Sequence, residues 1–357
     1  MNIDSMRRQS ARYVDATKGT NGFLEISGLS KHYKISAFPK PKFVRSADDI
    51  SLKVQPGEVM GLVGESGSGK STIAKLITRQ VEPTSGAIKV DGMDWLALRG
   101  ENLRRRRRDV QMIFQDPYSA LDPRMKIGTS MGAPQAFHGV SDEDERQRRV
   151  HAMLNEVGLD ASFADRYPKE CSGGQLQRVV VGRALLLEPK LLICDEPTSA
   201  LDASMKTQIL NLFLELKERR GITMIMISHD LRVVRHICDR IAVMYLGRLI
   251  EIAETEHLFE HPCHPYTQAL IASSKLEETG LDGAGQLTGE LPSPINPPTG
   301  CGFHPRCPAA RQDCTDAAPR LKLGHADHYV RCRHWQELQT DSATSTEVSA
   351  ESTGVKG

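Results

Sequence analysis

The chain has 357 residues, of which 25% are charged and 39% are hydrophobic. This composition excludes a wholly disordered chain and allows one large domain or two ordinary ones. Forty-six Lys and Arg against 45 Asp and Glu leave a formal charge of +1, so the sequence lacks the basic field of proteins that wrap nucleic acid, and we expect no nucleic-acid partner. The longest compact apolar run, residues 224–227, is too short to cross a bilayer.

Both ends of the chain are predicted to be disordered. Residues 1–22 have no periodic apolar pattern and no apolar secretory core, and residues 337–357 are rich in Ser, Thr and Glu. We therefore expect a cytoplasmic chain whose folded part covers residues 23–336.

Between these ends, short apolar runs alternate with helical patterns. That alternation is typical of an α/β domain with a largely parallel sheet. The predicted strands are residues 58–63, 110–114, 191–194, 224–228 and 241–245. Helices are predicted after Gly69 and after Gly173, where apolar residues recur at spacings of three and four. From about residue 276 Gly and Pro become frequent, which predicts a domain boundary there.

A phosphate-binding loop is predicted directly after the first of these strands. Residues 64–72 read GESGSGKST, and such a loop points backbone N–H groups at phosphates at a helix N-terminus. The strand before it and the helix after it argue against a Gly/Ser turn matched by chance. Lys70 would neutralise β- and γ-phosphate oxygens, and the Ser71 hydroxyl would bind Mg²⁺. The predicted ATP-binding residues here are Gly64, Glu65, Ser66, Gly67, Ser68, Gly69, Lys70, Ser71 and Thr72.

Two acids end the apolar strand LLICDE at residues 191–196. Consecutive side chains at a strand end face opposite ways, so Asp195 can reach Mg²⁺ while Glu196 faces the attacking water. An acid pair at the start of a helix is common and by itself does not indicate a catalytic site. Because the phosphate loop lies upstream, we predict that this pair belongs to a hydrolytic site.

A second anion site is predicted in SGGQLQR, residues 172–178. A serine and two glycines at a helix start favour an anion, yet one ATP does not need two such sites. We therefore expect this segment to hold the γ-phosphate of a nucleotide bound by another subunit. The residues concerned are Ser172, Gly173, Gly174 and Gln175.

With these motifs in this order, residues 23–275 resemble the ATP-binding cassette family. The resemblance implies a P-loop NTPase cassette of class α/β: a RecA-like core, an antiparallel β part and a helical subdomain at about residues 116–175. A small cysteine-rich C-terminal extension, residues 276–336, would follow. The segment at 172–178 departs from the family pattern in following Cys171 where Leu is common, and we expect an effect on local packing and not on the anion contact.

The same resemblance implies roles for four further residues. Tyr33 in SKHYKI would stack on adenine, with a plain surface tyrosine as the alternative. Gln115 would touch Mg²⁺ and sense the γ-phosphate, Asp202 would communicate across the cassette dimer, and His229 would hydrogen-bond the γ-phosphate. Glu196, His229 and Gln115 are thus the implied catalytic residues, and the implied Mg²⁺ residues are Ser71, Gln115 and Asp195.

A single cassette in 357 residues favours transport over translation, repair or chromosome maintenance. The segment HPCHPYTQALIAS, residues 261–273, resembles the C-terminal extension of the oligopeptide, dipeptide and nickel importers. That resemblance implies an ATPase at the cytoplasmic face of the bacterial inner membrane, with two permease subunits, a paralogous ATPase favoured over a second copy, and an extracytoplasmic solute-binding protein. Peptides are the favoured solute, with nickel, glycans and opines open. The alternatives are a soluble cassette ATPase that remodels a macromolecule and a nucleotide-binding subunit that does not hydrolyse ATP.

Four cysteines, Cys301, Cys307, Cys314 and Cys332, lie close together near the end of the chain. Zinc sites usually contain two cysteines two to four residues apart, and this stretch has none, whereas four thiolates satisfy a [4Fe-4S] cluster. The subfamily resemblance also implies that cluster. A zinc site that uses His304, His325, His328 or His334 stays open, as do free structural cysteines. The arginine run at residues 104–108 is assigned no site.

Overall fold

The computed structural model describes residues 22–35, 42–279, 289–324 and 327–338. The predicted disordered ends lie almost wholly outside the described residues. The strands are β1 (Leu24–Ile35), β2 (Lys42–Val54), β3 (Val59–Val63), β4 (Ser85–Val90), β5 (Met93–Asp94), β6 (Val110–Ile113), β7 (Leu191–Asp195), β8 (Thr223–Ser228), β9 (Arg240–Tyr245), β10 (Arg248–Glu254), β11 (Lys322–Leu323) and β12 (Tyr329–Val330). The helices are α1 (Lys70–Ile77), α2 (Gly100–Arg106), α3 (Ile127–Phe137), α4 (Glu143–Glu156), α5 (Gly173–Leu185), α6 (Ala203–Arg220), α7 (Leu231–Ile237), α8 (Thr255–Glu260) and α9 (Pro265–Thr279).

The larger sheet has the strand order β11-β12-β10-β9-β3-β8-β7-β6. Strands β6, β7, β8, β3 and β9 run parallel, and β10, β12 and β11 continue the sheet in antiparallel pairs. Every residue of β3 and β8 is buried, as expected for parallel strands covered on both faces. All five predicted strands are confirmed, with ends that differ by at most one residue. The carboxyl ends of the parallel strands therefore meet along one edge, where the predicted site residues fall.

The smaller sheet is antiparallel, in the order β2-β1-β4-β5. Its inner face shares a hydrophobic core with α1 and with one face of the larger sheet, including Ile26, Leu52, Ile73 and Leu76. This is the antiparallel β part that the cassette resemblance implied.

The predicted helical subdomain corresponds to α3, α4 and the 3₁₀ turns that lead to α5. Its core contains Met131, Val150 and Leu154, and it is continuous with the core of the larger sheet. Gly182 of α5 allows close packing, because a Cβ there would lie 3.0 Å from the Met131 side chain.

The C-terminal extension joins the cassette through the larger sheet. Strand β12 pairs with β10 at Glu251↔Val330 and Ile252↔Tyr329, while α9 runs across the boundary predicted at residue 276. A buried carboxylate reinforces the junction: Glu251 lies 2.7 Å from His328 Nε2 and accepts the backbone N–H groups of Cys263 and His264. The extension is thus built into the edge of the sheet.

Candidate active site

The phosphate loop connects the end of β3 to the first turn of α1. Gly64 and Gly69 have φ values of 149° and 107°. A Cβ at Gly64 would overlap the Met244 carbonyl, and one at Gly69 would overlap the Ser46 carbonyl. Only glycine fits at these two positions, so the loop can keep the tight path that turns its N–H groups toward a bound phosphate.

The Lys70 ammonium is buried within this loop. It donates to the carbonyl oxygens of Gly64 at 2.7 Å and of Glu65 at 3.0 Å. Burial lowers the pKa of Lys70, and the nearby charges of Glu196 and Asp195 oppose that shift. The ammonium is thus held beneath the loop by carbonyl oxygens, within reach of an anion bound there.

Asp195, the last residue of β7, meets the first turn of α1. The Ser71 hydroxyl donates to Asp195 Oδ1 at 3.2 Å. Burial raises the pKa of Asp195, the charge of Glu196 raises it further, and the hydrogen bond from Ser71 lowers it. A hydroxyl and a carboxylate side by side in an anionic setting are oxygen ligands of the type that Mg²⁺ takes.

Glu196 follows directly and sits between two other predicted site residues. Gln115 Nε2 donates to Glu196 Oε2 at 3.1 Å, and His229 Nδ1 lies 3.2 Å from Glu196 Oε1. Glu196 has φ 49°, a left-handed conformation that a non-glycine residue adopts at some cost, and its N–H is bonded to the Ile227 carbonyl. The three side chains follow β6, β7 and β8, which are neighbours in the sheet, so the topology brings them together.

The second predicted anion site lies at the start of α5. Ser172 caps this helix: its hydroxyl accepts the Gln175 N–H at 3.4 Å, while Gln175 Oε1 accepts the Ser172 N–H at 2.9 Å. Gly174 packs so closely on Met205 that a Cβ would overlap that side chain. Cys171 is buried in the core, and its effect on local packing stays a prediction. Gly173, the first residue of the helix, leaves this turn without a side chain.

Asp202 and Tyr33 lie in separate places. Asp202 caps α6, and the hydrogen bonds from the Met205 N–H and the Ser204 hydroxyl lower its pKa. Tyr33 is half-buried on β1 opposite Val44, with the Lys31 ammonium 5.1 Å from its ring centre. Adenine stacking by Tyr33 stays a prediction.

The four clustered cysteines line one cavity in the extension, together with His304 and His334. The Cys301 N–H donates to the Cys314 carbonyl at 2.8 Å. Burial, together with the charges of the three other cysteines, raises the pKa of Cys332 to about 11. Four thiols that share one buried space, and whose thiolate forms would repel one another without a cation, are a donor set suited to a cationic metal group.

The histidines named for a zinc alternative lie in different places. His334 Nε2 lies 3.0 Å from Asp313 Oδ1, and Asp313, Cys314 and His334 are close enough together to share a metal ion. His328 instead is bonded to Glu251. His325 lies outside the described residues.

Four of the five arginines in the run at residues 104–108 have partners in the residues around them. Arg104 and Arg105 face Glu101, Arg106 faces Asp109, and Arg107 donates to the Arg79 carbonyl. These contacts fit a solvated helix face better than a dedicated binding patch.

Sequence reasoning missed one set of contacts at the phosphate loop and another at the junction with the extension. Arg306 of the extension pairs with Glu65 of the phosphate loop, and the Tyr266 hydroxyl accepts the Glu65 N–H. The buried carboxylate of Glu251, at the junction with the extension, was also missed. The sequence signal for Arg306 was an arginine directly before Cys307, and the signal for Glu251 was an acid between the two isoleucines of β10.

The phosphate loop, the acid pair and the two-sheet fold define an ATP-binding cassette ATPase. Residues 47–199 match the ABC transporter family model, and residues 250–314 match the C-terminal region of oligopeptide/dipeptide transporters. The chain belongs to the ABC transporter family, among the ATP-binding subunits of its oligopeptide and dipeptide branch.

Similar proteins and structures agree with this assignment. The dipeptide transport ATP-binding protein DppF of Haemophilus influenzae is 42% identical over 90% of this chain and 99% of its own length. The oligopeptide transport ATP-binding protein OppF of Escherichia coli is 43% identical over 88% of this chain and 97% of its own length. A dimeric cassette, MJ0796, bound to ADP and Pi matches with a TM-score of 0.59 and 29% identity over 65% of this chain and 98% of its own. The structure of CbiO1 of Clostridium perfringens matches with a TM-score of 0.60 and 26% sequence identity, and the match covers 73% of this chain and 95% of CbiO1.

Within the described ranges, no helix combines the length and apolarity of a membrane span.

Proposed function

We propose that this chain is the ATP-hydrolysing subunit of an importer for di- or oligopeptides, bound to two permease subunits at the cytoplasmic face of the inner membrane. The observation that carries the ATPase part is the position of Glu196 between Gln115 and His229, beside the Ser71–Asp195 pair. The names of the similar DppF and OppF proteins support a peptide solute. An extracytoplasmic solute-binding protein would supply it.

The proposed ATP site assigns one task to each group. The loop residues 64–72 bind the phosphates, with Lys70 placed to neutralise the β- and γ-phosphate oxygens. Ser71, Asp195 and Gln115 would hold Mg²⁺, which would supply positive charge to neutralise the phosphate oxygens. Glu196 accepts the proton of the attacking water, and His229 bonds the γ-phosphate oxygens. Tyr33 supports the adenine ring.

The proposed site is completed by a second ATPase subunit. Residues 172–175 present the first turn of α5, whose N–H groups favour an anion, and Asp202 lies at the start of the next helix. The dimeric ADP- and Pi-bound structure of MJ0796 supports closure of two cassettes on nucleotide. We propose that the second subunit is a paralogous ATPase. Residues 172–175 of this chain would contact the γ-phosphate of the nucleotide bound by the partner, and the corresponding segment of the partner would contact the nucleotide bound by this chain.

We propose that Cys301, Cys307, Cys314 and Cys332 hold a [4Fe-4S] cluster. Their shared cavity and the donor set of four thiols support it. The cluster would be structural, fastening the extension to the sheet edge. Iron, sulfide and zinc analysis of anaerobically purified protein tests it: four irons and four sulfides per chain support the cluster, and one zinc without iron refutes it.

The importer proposal is tested by reconstitution. The chain, its paralogous ATPase and the two permeases are placed in proteoliposomes, and ATPase activity and uptake are measured with a peptide-loaded binding protein. Stimulation by peptides with uptake supports the proposal. Stimulation by nickel, a glycan or an opine but not by peptides would reassign the solute, and association with ribosomes or DNA in place of membrane subunits would favour the remodelling alternative.

A further inference from the structure

The phosphate loop contains an acid that is neutralised from the extension. Arg306 Nη1 and Nη2 lie 2.8 and 3.0 Å from the two carboxylate oxygens of Glu65. The Arg306 side chain is 5% exposed and that of Glu65 is 25% exposed. Two parallel charge-assisted bonds give this pair a fixed geometry. A carboxylate in a loop that binds phosphates would repel them, so its charge requires a cation such as this one.

Glu65 is also fixed through its backbone. Its N–H donates to the Tyr266 hydroxyl at 2.9 Å, and its carbonyl accepts the Lys70 ammonium at 3.0 Å. The side-chain ion pair and these two backbone bonds thus act together to fix the residue whose carbonyl holds the ammonium. The position of Arg306 thus affects the residue that faces the phosphates.

Arg306 has little freedom to move by itself. Its guanidinium lies 5.9 Å from the centre of the Tyr245 ring. That ring packs against Tyr266, at 4.7 Å between centres, and against Phe303 of the extension, at 5.4 Å. Tyr245, Tyr266 and Phe303 are each at most 2% exposed. The arginine therefore moves together with the turn that carries it.

That turn lies between two of the clustered cysteines. Arg306 ends the 3₁₀ turn His304–Arg306 and directly precedes Cys307. The His304 N–H donates to the Cys301 carbonyl at 3.1 Å, and the Cys307 N–H donates to the His304 carbonyl at 3.3 Å. A metal group bound by Cys301 and Cys307 would fix both ends of the turn.

We propose that Arg306 is a positioning residue for ATP, which holds Glu65 and the Lys70 loop in the phosphate-binding conformation and couples them to the metal state of the cysteines. The coupling to metal rests on the cysteine site proposed above. The effect on nucleotide rests only on the ATP site. Loss of metal would loosen the turn, release Arg306 and weaken ATP binding.

The first test measures Kd for MgATP by calorimetry on the full chain. Arg306→Gln leaves an uncompensated carboxylate in the loop, so we expect binding about 10-fold weaker. Glu65→Gln removes the repulsion along with the ion pair, so the double variant Glu65→Gln/Arg306→Gln should bind more tightly than Arg306→Gln alone. In the assembled transporter, Arg306→Gln should raise KM for ATP and leave kcat near its wild-type value.

Arg220→Gln is a matched control, because Arg220 makes an equally bidentate ion pair with Glu156 and neither residue belongs to the extension or to the phosphate loop. We expect wild-type binding of MgATP by this variant. A wild-type Kd for Arg306→Gln, with only a lower Tm, would mean that the pair merely docks the extension and would overturn the proposal. If Arg306→Gln does not fold, Arg306→Lys is used in its place, because lysine keeps the positive charge without the bidentate geometry. A wild-type Kd for MgATP in Arg306→Lys would again overturn the proposal.

The second test compares metal-loaded protein with protein made metal-free by a chelator. Wild-type chain should bind MgATP about 10-fold more weakly without metal, while Arg306→Gln should show no further loss. Equal Kd values for loaded and metal-free wild type would overturn the coupling. If the anaerobically purified chain holds no metal, the cysteine proposal and the coupling both fail, yet Arg306→Gln still decides the positioning role. Failure of the wild type to bind MgATP would refute the ATP site itself.

Discussion

Replacement of Glu196 by Gln should greatly slow ATP turnover and preserve the arrangement of the site. In the variant, the amide oxygen can accept from Gln115 Nε2, and the amide nitrogen can donate to His229 Nδ1 in its other tautomer. Both contacts, 3.1 and 3.2 Å in the wild-type chain, can therefore be kept. The charge and the basicity are the properties lost.

Because Glu196→Gln removes only the charge and the basicity, the expected fall in kcat equals the contribution of a general base. A positioned general base contributes about 10²- to 10⁴-fold to a rate, which corresponds to about 2.7 to 5.4 kcal/mol of barrier at about 1.36 kcal/mol per factor of ten. We expect kcat for ATP to fall by at least about 10²-fold. The Kd for MgATP should change little, because Lys70 and Ser71 are bonded to groups other than Glu196.

The assay is phosphate release by the reconstituted transporter, with ATP binding measured in parallel. Glu215→Gln is the control, since Glu215 is an exposed carboxylate of α6 that faces Arg219 and undergoes the same chemical change. Light scattering with ATP should show a persistent dimer only for Glu196→Gln. A kcat within about threefold of wild type would show that Glu196 does not act as the base.

Three further predictions concern binding, assembly and pH. Lys70→Ala removes the ammonium beneath the loop and should weaken MgATP binding by about 10-fold or more, as measured by calorimetry; an unchanged Kd would contradict the assigned role. The isolated chain at low concentration should hydrolyse ATP far more slowly than the assembled transporter, and a full rate from the monomer would exclude a site completed by a second subunit. Burial lowers the pKa of His264 to about 4, so between about pH 6.5 and pH 4 the unfolded chain binds a proton that the folded chain does not, and stability should fall by up to about 3 kcal/mol as the pH falls through that window. Urea unfolding at pH 7 and pH 5 checks this, with His264→Gln expected to reduce the difference.

The sequence was most informative where chemistry is local in the chain. Five strands, the phosphate loop and the placing of Asp195 and Glu196 at and directly after the end of β7 all follow from patterns of a few residues. The meeting of Gln115, Glu196 and His229 follows from one topological rule, because each residue comes after the carboxyl end of a parallel strand. These contacts could be predicted without knowledge of the packing around them.

The contacts of the extension could not be predicted in this way. Glu251 and His328 are 77 residues apart, and Glu65 and Arg306 are 241 apart, so no local period relates the partners. The pairing of β12 with β10 involves only two residues of β12, too few for a strand pattern. Burial decides these contacts: a carboxylate as enclosed as that of Glu251 needs donors, and the fold supplies them from a distant segment.

One of these distant contacts nevertheless had a signal in the sequence. The phosphate loop GESGSGKST is otherwise made of small residues, the lysine and hydroxyl side chains, and Glu65 is its single acid. A carboxylate held near bound phosphates weakens their binding unless a cation lies against it, and Lys70 is already engaged with the loop carbonyls. The acid therefore implies a second cation from elsewhere in the chain. Arg306, whose side chain is buried and which directly precedes Cys307, meets that requirement. The single acid of the phosphate loop is thereby connected to the turn that carries Cys307.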